Sequence, residues 1–357
     1  MNHRILAVTL TLGVFPWLTH WPVASQTATT QDRDAWSLQT PWGHPDLQGV
    51  WNFTMNTPLE RPAEFGERVE LTEEEAAIRA QADTQLRFDQ DNRTPALEAA
   101  PRNGEVGGYN RFWTDLRRTS LQTSLVVDPP DGRIPPLTVA AETWHAEQQR
   151  IRRGVSMDAP TPGGFVEDLG PRGLFTRCIL GFNSGPPMVP TLYNANVQIV
   201  QTAEQVALLN EMVHSVRIVP LNGRPHIASG IRQWMGDSRG RWEDDTLVVT
   251  TTNFTDQVFD PSNGPRRRDD NPTTLPAERI EMLGGRMRPL GTGLTLVERF
   301  TRTAADTLIY QFTMTDAAWY TAPWTAQLPM IRSIEPPYEY ACHEGNHSMP
   351  NILAGAR

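Results

Sequence analysis

Thr295-Leu-Val-Glu-Arg-Phe-Thr-Arg302 and, after the four residues Thr-Ala-Ala-Asp, Thr307-Leu-Ile-Tyr-Gln-Phe-Thr-Met-Thr315 carry the pattern that decides the fold. Polar and apolar residues alternate through both runs, which is the period of a strand with two unlike faces. The same period recurs over residues 198–201, 206–221, 233–235, 246–254 and 325–331. Turn chemistry separates these runs, most clearly Asn222-Gly223 and Gly236-Asp-Ser-Arg-Gly240. Successive strands with short links and no helix between them imply an antiparallel meander. So many strands must close or pack against a second sheet, because open edges aggregate. The fold class expected is therefore mainly β, a meander closing into a barrel, with a β-sandwich as the alternative. The insertion 260–293, with its Arg, Asp, Pro and Gly clusters, is expected to be a long loop.

Upstream, Asp46-Leu-Gln-Gly49-Val-Trp51 is extended and leads into a passage that Pro58 and Pro62 keep out of helix. Thr72 with Glu75 forms a capping box ahead of an alanine-rich run, which predicts a surface helix near 72–88. Residues 123–127 read as a strand ending in the turn Asp128-Pro-Pro-Asp-Gly132. A second helix is expected near 139–153, after Pro135, Pro136 and a Thr138 cap and before Gly154. The stretch 160–190, rich in Pro and Gly, reads as an irregular wrap. Residues 46–357 then form a single β-rich domain with two peripheral helices, preceded by a polar leader over 26–45.

The first twenty-five residues read as a signal peptide. Asn2, His3 and Arg4 give a polar, positive start, residues 5–18 are largely apolar, and Val23-Ala24-Ser25 suits cleavage. The apolar run is too short to span a bilayer, and no later run is long enough. The mature chain is expected in the periplasm or outside the cell. Cys178 and Cys342 are the two cysteines, and an even count in an oxidising compartment favours a disulfide. By chain entropy such a long loop is worth about 4–5 kcal/mol.

Composition removes several activities. All 32 basic residues are Arg, so a Walker P-loop, a pyridoxal phosphate Schiff base and a lysine-dependent aldolase lack their amine. Against 41 acidic residues the net charge is −9, which makes nucleic acid an unsuited partner even with a local patch such as Arg266-Arg267-Arg268. The chain is 357 residues long, 39% hydrophobic and 20% charged, a globular composition.

Three constellations could carry chemistry. His343-Glu344-Gly345-Asn346-His347 matches the HExxH metal motif, but its Gly and Asn are poor helix formers, and Cys342 and Pro350 flank it. Gly236-Asp237-Ser238-Arg239-Gly240 matches G-x-S-x-G, with Asp306 and His343 following in hydrolase order. It leads into a strand rather than a helix, so it reads as a hairpin turn. The third is His214. Counted by twos, Leu208, Asn210, Met212, His214, Val216 and Ile218 share one strand face, so His214 is placed to act as an acid or base toward a cavity, with Asn210 orienting it. A satisfied core histidine is the plain alternative. Glu211 and Arg217 read as an ion pair or outer shell. Asp237, Arg239 and Arg241 would stand at the rim, and Trp234, Trp242, Trp319 and Trp324 are candidate ligand walls. His226 and His343 are further imidazoles that turns could bring toward His214.

Gly49-Val-Trp51 resembles the Gly-x-Trp opening strand of lipocalin-like barrels, in which the Trp plugs one end. Longer runs resemble a large group of exported bacterial proteins of uncharacterised activity. They are Val197-Gln-Ile-Val-Gln-Thr202, Arg217-Ile-Val-Pro-Leu-Asn-Gly-Arg-Pro-His226, Trp234 through Val249, Val297-Glu-Arg-Phe-Thr-Arg302 and Tyr338 through Asn346. That resemblance covers most of the mature chain and implies export but no activity. In that group the position of His347 is often Tyr, which weighs against zinc.

The function expected is an exported protein holding a small apolar or aromatic molecule in a β-barrel cavity. Cofactor-free hydrolysis, elimination or isomerisation would use His214. The alternatives are a non-enzymatic carrier and a metal-dependent hydrolase through His343, Glu344 and His347. No cofactor is expected, with a metal ion left open.

Overall fold

Nine strands follow one another in chain order along a single ladder, and the first of them lies between the second and the last. The computed structural model describes residues 39–91, 114–151, 178–181, 183–191, 193–255, 257–260, 286–289, 293–342 and 347. The strands are β1 (Gly49–Asn52), β2 (Val126–Asp128), β3 (Asn196–Gln201), β4 (Gln205–Asn210), β5 (Val216–Pro220), β6 (Asp237–Glu243), β7 (Thr246–Thr252), β8 (Gln257–Asp260), β9 (Arg286–Pro289), β10 (Thr295–Arg302), β11 (Thr307–Thr315) and β12 (Trp324–Ser333). The order is β5-β4-β3-β1-β12-β11-β10-β7-β6, every pair antiparallel, and β2 adds to β12. β8 and β9 form a separate two-stranded sheet.

Nine alternating strands leave the two edges, β5 and β6, running in the same direction. They cannot pair as a hairpin, so the chain between them must return along their length. Asn222-Gly223 is indeed a turn, with Gly223 at φ +69° and the Arg224 amide donating to Asn222 Oδ1 at 3.2 Å. It opens that return rather than joining two paired strands. The edges nevertheless touch: a Cβ on Gly240 would lie 2.8 Å from Val219 Cγ1 and 2.6 Å from Leu221 Cδ2. Side chains, not ladder hydrogen bonds, meet at this seam.

Burial follows the alternation. Leu296, Glu298, Phe300 and Arg302 of β10, and Leu308, Tyr310, Phe312 and Met314 of β11, turn inward. Edge-on and tilted ring contacts run Phe300–Tyr310 (5.0 Å), Tyr310–Phe312 (5.8 Å), Phe312–Trp324 (5.6 Å) and Tyr320–Trp324 (5.9 Å). Each buried ring of this kind contributes about 1.5–3 kcal/mol. Trp51, in the Gly-x-Trp run, is fully buried, donates from Nε1 to Leu47 O at 2.8 Å, and has the Arg302 and Arg332 guanidiniums over its ring at 5.6 and 5.9 Å.

Helix α1 (Glu73–Asp91) begins at the expected capping box: the Glu75 amide donates to Thr72 Oγ1 at 3.2 Å and the Thr72 amide to Glu75 Oε2 at 2.8 Å. Helix α2 (Val139–Ile151) is capped by Thr138, whose Oγ1 accepts from the Ala141 amide at 3.2 Å. It packs through Trp144 on Trp319 at 5.3 Å.

The structure corrects five expectations. The strand read over 206–221 is two strands, because Val213 and His214 adopt φ +59° and +43° in a 3-10 turn at Met212–His214. Glu211 anchors that turn by accepting from Asn194 Nδ2 at 2.6 Å and Asn196 Nδ2 at 2.7 Å, so it is not the partner of Arg217. Residues 233–235 form no strand beyond an isolated bridge between Gln233 and Phe254. The 236–240 turn is only its first residue, Gly236 at φ +67°; from Asp237 the chain is strand, and the hairpin turn comes at Asp244, φ +50°. Part of the insertion expected as a loop is strand β9. The leader, the end of α2 near Gly154 and most of the 160–190 wrap lie outside the described residues.

Candidate functional site

A cleft of about 570 Å3 opens where the ladder is interrupted, between the start of β5 and the segment that leads into β6. Its apolar walls are Ile179, Val216, Ile218, Trp234 and Met235, with Arg217 among them. Three consecutive strand residues line one cavity because β5 is an edge. The Asn210 amide bonds Ser215 O and the Leu221 amide bonds Glu204 O, so odd-numbered residues face β4 through their main chain. Val216 and Ile218 then direct their main-chain groups toward the seam. Opposite them, Gly236 makes the sharp entry into β6. A Cβ there would lie 2.6 Å from Thr252 O, and φ is +67°, so glycine is required.

Behind the cleft lies a buried ionic cluster. Arg217, with 6% of its side chain exposed, makes a bidentate pair with Glu298, whose side chain is fully buried. Nη2 donates to Oε1 at 2.8 Å and Nη1 donates to Oε2. The Tyr310 hydroxyl donates to the same Oε1 at 2.8 Å and accepts from the Met188 amide at 3.1 Å. Burial pulls the guanidinium down, but the Glu298 charge and hydrogen bonds outweigh it and hold Arg217 above its ordinary pKa. Burial, reinforced by the Glu298 charge, pushes the Tyr310 hydroxyl well above its usual range. The pair is therefore charged and internally neutralised.

The Arg217 guanidinium gives two donors to Glu298 and makes no other side-chain hydrogen bond among the described residues. On the same inward face, Leu208 is opposite Arg217 and Asn210 is opposite Ser215, which makes Asn210 the diagonal neighbour of Arg217. Asn210 is 3% exposed, and its Oδ1 is enclosed without a partner among the described residues.

At the rim, Asp237 Oδ2 lies 2.7 Å from His226 Nδ1 and accepts from the Ile227 amide at 3.2 Å, while Oδ1 accepts from Arg239 Nη1 at 2.7 Å. Arg239 Nε also donates to Pro225 O at 3.1 Å. An ionised carboxylate can only accept, so Nδ1 of His226 is the donor in this contact, and Nε2 is the ring nitrogen that Asp237 does not engage. The His226 side chain keeps 28% of its exposure.

The sequence-derived candidates separate accordingly. Trp234 and Asp237 line the cleft and Arg239 bonds Asp237 beside it, whereas Asn210 is buried one strand in, on β4, and is not among the cleft's lining residues. His214 does not line it either: it is exposed in the β4–β5 turn, because the break at 211–215 removes the strand face that would have turned it inward. Arg241 is exposed and paired with Glu243 at 2.5 Å. Trp242 stacks on His44 at 4.9 Å, and Trp319 and Trp324 are buried in the aromatic core. Ser238 bonds Thr251 Oγ1 at 2.9 Å from within a strand, so no nucleophile elbow forms. His343 and Glu344 lie outside the described residues, and His347 is exposed. Among the described residues no group of three or more His, Cys, Asp or Glu side chains is assembled to hold a metal. No helix among them is long and apolar enough to cross a membrane.

Cys178 and Cys342 form the expected disulfide, with Cα atoms 6.3 Å apart. Its neighbour Ile179 is a cleft wall, so the bridge fixes one side of the cavity. Glu298 and Tyr310 were not among the candidates. Their signal is a charge at a position where the β10 alternation, Leu296-x-Glu298-x-Phe300, otherwise places apolar side chains. Comparison of the chain with protein-family models, with curated proteins and with solved structures gave no match in any of the three.

Proposed function

We propose that this chain is an exported binding protein that holds a small molecule with an apolar or aromatic body in the cleft between β5 and β6. The sheet in this reading is rolled into a barrel-like shell whose one unpaired seam is the mouth. The observation that carries the reading is the coincidence of the ladder's interruption with a cavity of about 570 Å3 walled by Ile179, Val216, Ile218, Trp234 and Met235. That volume is in the range of small-molecule sites, and largely apolar walls with few polar groups are their usual lining. The disulfide and the leader-like first twenty-five residues support export to the periplasm or beyond.

The test is a titration with 1-anilinonaphthalene-8-sulfonate, read by the dye's emission. Saturable one-to-one binding is expected, weakened at least tenfold by Ile218→Arg, which places a charge in the cleft at a half-exposed position. Binding unaffected by that substitution would remove the site.

A second reading, acid–base chemistry, is favoured by the 2.7 Å contact between His226 and Asp237. It transfers to His226 the role expected of His214: Asp237 orients the ring and Nε2 accepts the proton. The substrate would be turned over without a cofactor. Turnover of any bound compound that survives His226→Ala would exclude this role.

A further inference from the structure

One side of the cleft is an unpaired strand edge. Arg217 and Val219 exchange main-chain hydrogen bonds with Leu208 and Val206 of β4, so the N–H and C=O groups of Val216 and Ile218 point the other way, toward the cleft that both residues line. Nothing among the described residues bonds those groups, and each of the two residues is 48% exposed. The facing strand is differently placed: the Ser238 carbonyl is taken by Arg239 Nη1 at 2.8 Å. The free edge is also short. Pro220, next on that side of β5, has no N–H, and there the seam closes where Gly240 meets Val219 and Leu221. Folded chains usually blunt an open edge with charge, with Pro or with a covering segment, whereas Val216 and Ile218 present apolar side chains beside an apolar cleft.

From this we infer that the cleft takes a short extended peptide with apolar or aromatic side chains, which pairs through its main chain with the free edge of β5. The inference rests on the reading of the cleft as a ligand site and names the ligand's class. Donors and acceptors alternating along an edge are complemented by another extended main chain, the mode in which a bound peptide adds a strand to a sheet. Val216 to Ile218 spans about 7 Å, so pairing involves about three residues of the added chain. Its side chains then stand against Ile179, Trp234 and Met235. Charge asks for nothing more at this edge. Of the charged residues that line the cleft, Arg217 is neutralised by Glu298 and Asp237 by Arg239, and Arg232 is exposed and donates to Phe254 O at 3.3 Å.

The experiment uses the capped tripeptide acetyl-Val-Phe-Val-amide and its analogue methylated at all three residue nitrogens, which keeps the side chains and loses those donors. Calorimetry is expected to show the methylated peptide binding at least about tenfold more weakly. Hydrogen exchange followed by NMR locates the pairing. The Val216 and Ile218 amides should exchange freely in the protein alone and at least about tenfold more slowly with the tripeptide bound, while the Arg217 and Val219 amides, already bonded to β4, stay protected in both states. Equal affinity for the two peptides, or Val216 and Ile218 amides that gain no protection, would overturn strand pairing. So would a tripeptide that fails to bind. Each of these leaves the cleft reading intact as long as 1-anilinonaphthalene-8-sulfonate binds and Ile218→Arg weakens it. Failure of both the tripeptide and the dye to bind would overturn both.

Discussion

Arg217 and Glu298 sit on strands six places apart in the ladder, yet their side chains form a bidentate ion pair. Adjacent strands are about 4.8 Å apart, so a flat sheet would hold β5 and β10 about 29 Å from each other. The sheet therefore folds back on itself and encloses this pair, with Tyr310 bonded to the same carboxylate.

Removing one partner leaves a buried charge unanswered. Glu298→Ala is expected to lower stability by about 3–5 kcal/mol, whereas replacing both residues, Arg217→Met with Glu298→Leu, should recover most of it. Urea unfolding of the two variants decides the matter. A single variant that loses less than about 1 kcal/mol would mean that the pair is not enclosed.

Tyr310 gives a pH dependence of stated sign. Its folded pKa lies above the ordinary value of 10.0, so its contribution is complete below that value. As pH rises past it, the unfolded chain releases the proton first and stability falls. The stability advantage of the parent over Tyr310→Phe should therefore shrink in alkaline solution, measured as the difference between their urea midpoints across that range. A constant difference would show that the hydroxyl is not held protonated.

Gly236 combines positive φ with a backbone oxygen where a Cβ would go. Gly236→Ala is expected to destabilise the protein by about 1–3 kcal/mol and to weaken dye binding, because the turn that lays 232–235 beside β5 must shift. Gly223→Ala is the control. It is also at positive φ, but no atom lies near its Cβ position, so it should lose some stability and keep the cleft.

Reduction of Cys178–Cys342 removes a cross-link across 164 residues, worth about 2–5 kcal/mol, and frees the wall that carries Ile179. Both melting temperature and dye affinity should drop on reduction and on paired Cys→Ser replacement. Unchanged affinity would show that the bridge does not shape the site.

The strands, the helix caps and the disulfide were legible because each is written in local chemistry: alternation in 295–315, Thr72 with Glu75, and an even pair of cysteines. The break at Val213–His214 was not. A β-branched residue and an imidazole at positive φ carry no turn signal, and what holds them is Glu211 bonded to Asn194 and Asn196 on another part of the chain. That single irregularity moves His214 out to solvent and brings Arg217 in. The pairing of Arg217 with Glu298 is a contact across 81 residues, which periodicity shows only as a charge in an apolar row. Of the residues at the cleft and its rim, Asp237 and Arg239 were named from their place in the Gly236–Gly240 motif, Trp234 as one aromatic wall among several, and His226 only as one imidazole among several.

The most direct measurement follows the isoleucine methyl resonances of the disulfide-bonded protein as 1-anilinonaphthalene-8-sulfonate is added. Ile179 and Ile218 are expected to shift together and saturate at one dye per chain, while the core residue Ile199 stays in place. Saturable shifts at the exposed Ile78 or Ile334 with Ile179 and Ile218 unmoved would place binding elsewhere and contradict the assignment of the β5–β6 seam as the ligand site.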